Sequence, residues 1–143
     1  MIYQTRDFGE IQIEENQMID FRQPIFGFDG YSKYAVLHDS EMDAGIAWLQ
    51  SLEEPDLCFV LVSSVCSPVA YSPSLPPELG EVIGPGDYEC WLIAVIHDDI
   101  DKSTINLKSP VIINWKTGLA AQVILEGSYS VRQPLIEEAA DAC

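Results

Sequence analysis

His38 and His97 are the only imidazoles, and so the only histidine bases available near neutral pH; each stands at the end of an apolar run. That placement suits a residue at a strand edge or turn. Nucleophilic catalysis would need an activated Ser or Cys beside such a base, and the chain has no Gly-x-Ser-x-Gly elbow. In His97-Asp98-Asp99-Ile100-Asp101, the carboxylates of Asp99 and Asp101 could share a hard cation. A calcium loop beginning at Asp99 would need Gly where Thr104 stands and Glu where Pro110 stands, so the stretch reads as a solvated connection between strands. Gly84-Pro85-Gly86 looks like half of a dinucleotide loop, but the third glycine is missing and the motif precedes a strand instead of following one. It reads as a turn. With 23 carboxylates, some acidic pairs must lie close together in any fold, so pairing carries no information. No catalytic, cofactor-binding or metal-binding residue is assigned, and the chain is expected not to be an enzyme.

The net charge of −16 repels phosphate backbones and anionic lipid heads, which argues against direct contact with nucleic acid or membrane. The same field speeds encounter with a basic partner, and salt weakens it. Residues 1–10 carry no basic segment followed by an apolar one, so the expected compartment is the cytoplasm. Residues 57–77 lack charge, yet repeated Ser and four Pro make them a strand running into a proline-rich loop and not a membrane span. Cys58, Cys66, Cys90 and Cys143 show no C-x-x-C spacing and read as reduced thiols.

The elements that must position any site are mostly strands. Residues 2–6, a turn at Asp7-Phe8-Gly9, and the alternating Ile11 and Ile13 predict an N-terminal hairpin. Residues 34–38 form the next strand signal. Residues 45–52 and 57–63 are apolar runs joined by Glu53-Glu54-Pro55-Asp56, whose proline and carboxylates suit a tight turn. Trp48, Gln50 and Leu52 alternate with Leu49 and Ser51, so one set should be core and the other nearer the surface. Residues 91–96 and 111–113 are nearly unbroken apolar runs, expected to be covered on both faces. A Lys116-Thr117-Gly118 turn then folds a last strand, 122–125, back on 111–115. Short helical segments are expected at 76–81 and 134–142, with residues 137–143 frayed. The fold class is all-β: a compact antiparallel barrel-like or sandwich domain of 143 residues, one domain throughout.

Three segments then stand out together: Trp48-Leu49-Gln50-Ser51-Leu52-Glu53-Glu54-Pro55-Asp56-Leu57, Asn106-Leu107-Lys108-Ser109-Pro110-Val111-Ile112-Ile113-Asn114, and Tyr129-Ser130-Val131-Arg132-Gln133-Pro134-Leu135. In order and spacing they resemble the flagellar assembly factor FliW family. With Phe8-Gly9-Glu10 and Gly27-Phe28-Asp29, the resemblance spans nearly the whole chain. It implies a β-barrel-like protein that binds newly made flagellin. Once flagellin is exported, such a protein would bind the RNA-binding repressor CsrA away from its RNA surface and relieve repression of flagellin translation. The alternative is a flagellin chaperone with no regulatory role. A monomer is expected when the protein is free. The turn after Lys116 reads Gly118-Leu119-Ala120-Ala121, without the basic residues common in relatives.

For partner binding, Phe26 and Phe28 flank Gly27 in a predicted loop, where exposed aromatics could anchor a partner or pack into the core. Asp29 beside them could meet a basic group. Tyr71, in the proline-rich loop, and Asn106 and Lys108, in the second matching segment, complete the candidates; a short turn could also need the last two for backbone reasons.

Overall fold

The computed structural model describes residues 2–6, 8–38, 45–66, 71, 73–96, 98–99 and 102–134. His97, Ile100 and Asp101 of the acidic stretch, Asp7, Cys143 and the expected helix beyond Pro134 lie outside them. Strands β1 (Ile2–Thr5) and β2 (Gly9–Gln12) form the expected N-terminal hairpin. The Thr5 hydroxyl closes its turn, accepting from the Phe8 amide and donating to the Gly9 carbonyl. This hairpin is a separate two-stranded sheet. Arg6 donates its amide to the Pro55 carbonyl, and Phe8 meets Trp48 edge-on at 5.7 Å, which ties the hairpin to the main body.

The main sheet closes on itself. Strands β3 (Met18–Gln23), β4 (Lys33–Leu37), β5 (Ile46–Ser51), β6 (Cys58–Ser63) and β7 (Glu89–Val95) pair in succession, all antiparallel. After β8 (Thr104–Ile105) come β9 (Val111–Asn114) and β10 (Leu119–Gln122), a hairpin in which β9 pairs with β7 and β10 runs parallel to β3. The result is a seven-stranded barrel with one parallel seam. A short β11 (Gln133–Pro134) adds to β8 outside the ring. A barrel leaves its ring strands no open edge, which removes a template for aggregation.

The second edge of β7 is divided. Glu89, Cys90 and Trp91 pair with β9, whereas Ala94 and Val95 pair with β8. Residues 106–110 therefore face only Leu92 and Ile93, five residues against two, and must loop outward.

Period-two alternation sorts the core. Ile19, Phe21, Tyr34, Val36, Leu49, Leu61, Trp91, Val111 and Ile113 fill the barrel interior, with Phe59 and Ile93 packed against them. The run 111–113 is covered on both faces, as its composition predicts, whereas the run 91–96 is covered only as far as Ala94, and Val95 and Ile96 at its end are exposed. Ile112 and Ala121 face outward beneath α1 (Leu79–Ile83), and Leu92 and Ala94 lie with Ile105 and Leu107 in a third cluster. Each such buried aliphatic side chain contributes on the order of 1.5–3 kcal/mol.

Several expectations need correction. The last barrel strand is Leu119–Gln122 and not 122–125, because a four-residue turn returns the chain directly after Gly118. Residues 123–125 instead run beside 108–110, with Val123 donating to the Pro110 carbonyl and Leu125 to that of Lys108. Consequently Ala120 and Ala121 are fully buried strand residues and not part of a partner-facing turn. The helix expected at 76–81 begins later, at Leu79. In β5, Gln50 is as buried as Leu49, because the 53–56 turn folds over it and its amide donates to the carbonyls of Ser51, Pro55 and Leu57.

Gly84-Pro85-Gly86 is a turn, and it is held by Asn114. The buried Asn114 amide faces the carbonyls of Ile83, Gly84 and Pro85 at 2.9, 3.2 and 3.4 Å, while its Oδ1 accepts from the Lys116 amide. Gly84 has φ +84°, and a Cβ there would meet Thr117 Cγ2 at 2.8 Å. Asn114→Leu, which keeps the branched shape but strands those carbonyls and adds bulk, is expected to cost roughly 2–4 kcal/mol in urea unfolding.

Tyr34 is fully buried at the barrel centre, and its hydroxyl has no hydrogen-bond partner among the described residues. Burial pushes its ionisation up to about 12, with Glu53 and Tyr31 acting in the same direction. The folded state thus holds this proton past the ordinary value of 10.0. Its stabilising contribution is intact below that value and is lost as pH rises toward 12. Tyr34→Phe is expected to change stability near neutral pH by less than about 1 kcal/mol. Its urea midpoint should also fall less steeply than that of the wild type above about pH 10.

Candidate functional site: an apolar groove at the barrel mouth

The loop between β3 and β4 begins with a tight turn in which the Phe28 amide donates to the Ile25 carbonyl at 2.8 Å. Gly27 occupies the position of this turn that requires positive φ, at +89°. The turn divides the two aromatics. Phe26 is thrown outward and is 81% exposed. Phe28 points back and meets Phe59 edge-on at 5.2 Å. Phe59 in turn contacts Tyr34, and Tyr34 contacts Phe21, so a file of rings leads from the barrel centre to its mouth.

The loop is pinned at both ends. At one, Gln122 Oε1 accepts from the Phe26 amide at 2.7 Å. At the other, Glu53 accepts from the amides of Ser32 and Lys33, bonds that hold its carboxyl below the usual range, the Lys33 amide most of all.

Opposite stands the outward loop of residues 106–110, which satisfies its own polar groups. Asn106 Oδ1 accepts from the amides of Lys108 and Ser109, a side-chain mimic of a turn. Lys108 Nζ donates to the carbonyls of Leu125 and Gly127. The Tyr71 hydroxyl donates to the Leu107 carbonyl at 2.7 Å, and its ring packs edge-on against Tyr129. Gln122 Nε2 donates to the Ser109 carbonyl, so one side chain joins both loops.

Between these loops lies a groove of about 390 Å³. Ile25, Phe28, Phe59 and Ile93 form its apolar base, and Asn106, Ser109 and Gln122 supply its polar edge. Phe26, Ile124 (61% exposed) and Val131 (53% exposed) stand on its rim. Among the described residues no charged side chain lines it. Ile124 also borders two further recesses. One, of about 180 Å³, is walled by Pro76, Glu78, Leu79 and Val82, and the other, of about 540 Å³, by Leu75, Pro77, Glu126 and Tyr129.

Of the sequence candidates, Phe26, Phe28 and Asn106 come together here. Asp29 is exposed just beyond Phe28 and does not line the groove. Lys108 and Tyr71 brace the 106–110 loop from behind. Ile124, Val131 and Gln122 join the groove as site residues absent from the sequence candidates. No local pattern marks them, because they reach the groove only through barrel closure.

His38 is exposed, with its ring 6.1 Å from that of Trp91. Burial pushes the Cys90 thiol up, away from the reactive thiolate, and a hydrogen bond with Ser64 opposes this in part. Among the described residues no three His, Cys, Asp or Glu side chains converge as metal ligands, and no helix is long and apolar enough to cross a membrane. The chemistry on offer at the groove is apolar contact with a few fixed hydrogen-bonding groups, the usual make-up of a recognition site.

Gln122→Ala removes the tie between the two walls. It is expected to cost about 1 kcal/mol of stability and to raise amide exchange at Phe26 by roughly tenfold while the barrel amides stay protected.

Comparison with known proteins gives one answer by three routes. Residues 2–135 match the FliW protein family. The flagellar assembly factor FliW of Ruminiclostridium cellulolyticum is 33% identical over 142 residues, covering 96% of each chain. That of Bacillus licheniformis is 37% identical over 143 residues, covering 97% of this chain and 99% of the relative. A crystal structure of the flagellar assembly factor FliW superposes with a TM-score of 0.86 at 28% identity, covering 96% of this chain and 99% of the other. The family resemblance, the β class and the closed barrel all agree, and the chain belongs to the FliW family of flagellar assembly factors.

Proposed function

We propose that this protein works by occupancy and not by catalysis: it holds newly made flagellin in the cytoplasm and, when flagellin has been exported, binds the repressor CsrA and frees the flagellin message. The observation that carries this reading is the exposed apolar groove on a body of net charge −16. Monomeric proteins seldom leave such rims uncovered unless something binds there. The family match supports the flagellar setting.

The charge suits the regulatory half of the reading. An acidic body docked beside an RNA-binding surface repels phosphates without filling the RNA site, so it can weaken RNA binding from a distance. Because the two partners exclude each other in this scheme, the outcome follows their relative affinities and concentrations, with each 1.4 kcal/mol worth about tenfold.

In size-exclusion chromatography with calorimetry, the purified chain is expected to form one-to-one complexes with flagellin and with CsrA, and flagellin should displace CsrA. Variants with surface carboxylates neutralised, but still bound to CsrA, should release less RNA from it. If neither protein binds at low salt, the reading is wrong. If RNA release is undiminished in the neutralised variants, the electrostatic part is wrong.

A further inference from the structure

We propose that the groove and the two recesses around Ile124 form one track that takes an amphipathic helix of a partner protein, with its apolar stripe on Phe26, Ile124 and Val131 and its flanks rich in Lys or Arg. The inference rests on the protein-binding reading above and specifies the surface and the chemistry of its ligand.

The apolar requirement comes from the rim. Phe26, Ile124 and Val131 are three of the large hydrophobic side chains left exposed among the described residues, and all three border the same groove. Ile124 carries that surface on into the recesses beside Pro76 and Leu75.

The helical requirement comes from the backbone. An added strand needs free main-chain donors and acceptors along the wall. Here the amides of Phe26, Phe28, Val123 and Leu125 are already given to Gln122, Ile25, Pro110 and Lys108. At these positions a ligand is held by its side chains, and an apolar stripe spaced as on a helix face does this.

The charge requirement separates the possible occupants. Among the described residues, the charged side chains that line the track are Glu78 and Glu126. Lys108 Nζ donates to two carbonyls, while Arg22 and Arg132 are exposed beside the lining residues Gln23 and Val131. A second copy of the chain brings a further charge of −16. The C-terminal segment 135–143 brings Glu137, Glu138 and Asp141. Both would set carboxylates against Glu78 and Glu126, whereas a helix flanked by cations meets them favourably and gains selectivity even where each pair contributes little.

The test uses the full chain and three synthetic helical peptides of about 18 residues, five turns. One has a Leu stripe with Lys flanks, one the same stripe with Glu flanks, and one Lys flanks with the stripe replaced by Gln. Calorimetry should show the first binding at least about tenfold tighter than either control. Amide shifts should centre on Phe26, Ile124 and Val131. Phe26→Ser and Ile124→Ser, both at exposed positions, should weaken the first peptide at least about tenfold without lowering the thermal midpoint.

Equal binding of the Glu-flanked or Gln-substituted peptide overturns the proposal, as do shifts centred elsewhere. Tighter peptide binding after deletion of 135–143 would make the chain's own C-terminal segment the occupant, and a concentration-dependent dimer abolished by Phe26→Ser would make it a second copy. Either result also overturns the proposal. Flagellin and CsrA binding unchanged in Phe26→Ser would sink the track while leaving the protein-binding reading in place. No binding of either by the wild type would sink that reading itself.

Discussion

The divided edge of β7 governs the rest of the molecule. One strand cannot give the same backbone groups to two neighbours, so β9 takes the first half of that edge and β8 the second. The surplus residues, 106–110, leave the sheet, and their polar groups must find partners elsewhere because a buried unpaired group costs about as much as a lost hydrogen bond. Asn106, Lys108, Tyr71 and Gln122 supply those partners. Closing the barrel and raising one wall of the groove are thus a single event in the pairing scheme. Residues that look like a binding motif in the sequence are here largely the hardware of that loop.

Charge and apolar surface are kept apart on this protein. The carboxylates spread a negative field over the body, while the groove lining holds none. A field acts over a Debye length and steers approach, whereas apolar contact acts only on touching and sets how long a complex lasts. An arrangement of this kind can collect a ligand quickly and still choose it by shape.

Much of the fold was legible because its signals are local. The runs in β9 and the first part of β7 announce two-sided burial by lacking polar alternation, and Glu53-Glu54-Pro55-Asp56 announces its turn by composition. What escaped depends on pairing at a distance. β3 places only Ile19 and Phe21 inward, with Asp20 between them and Arg22 after, too short an alternation to stand out before Pro24. β10 is built on Ala120 and Ala121, and alanine is a poor strand former; it is tolerated because Phe21 lies opposite on one side and α1 packs close on the other. Phe26 and Phe28 were recognisable as candidates, but their division into one exposed and one packed ring depends on Gly27 and on Phe59, a residue from another strand. Ile124 and Val131 carry no sign of their role until the ring is closed.

The parallel seam between β3 and β10 bears on the order in which the molecule comes into being. The contact from Gln122 to the Phe26 amide spans 96 positions, and Val131 arrives later still. While the chain emerges from the ribosome, β3 to β7 can zip up as successive hairpins, but the ring stays open until nearly all of it has been made. A half-synthesised or truncated chain therefore has strands but no mouth, and the groove exists only in finished copies.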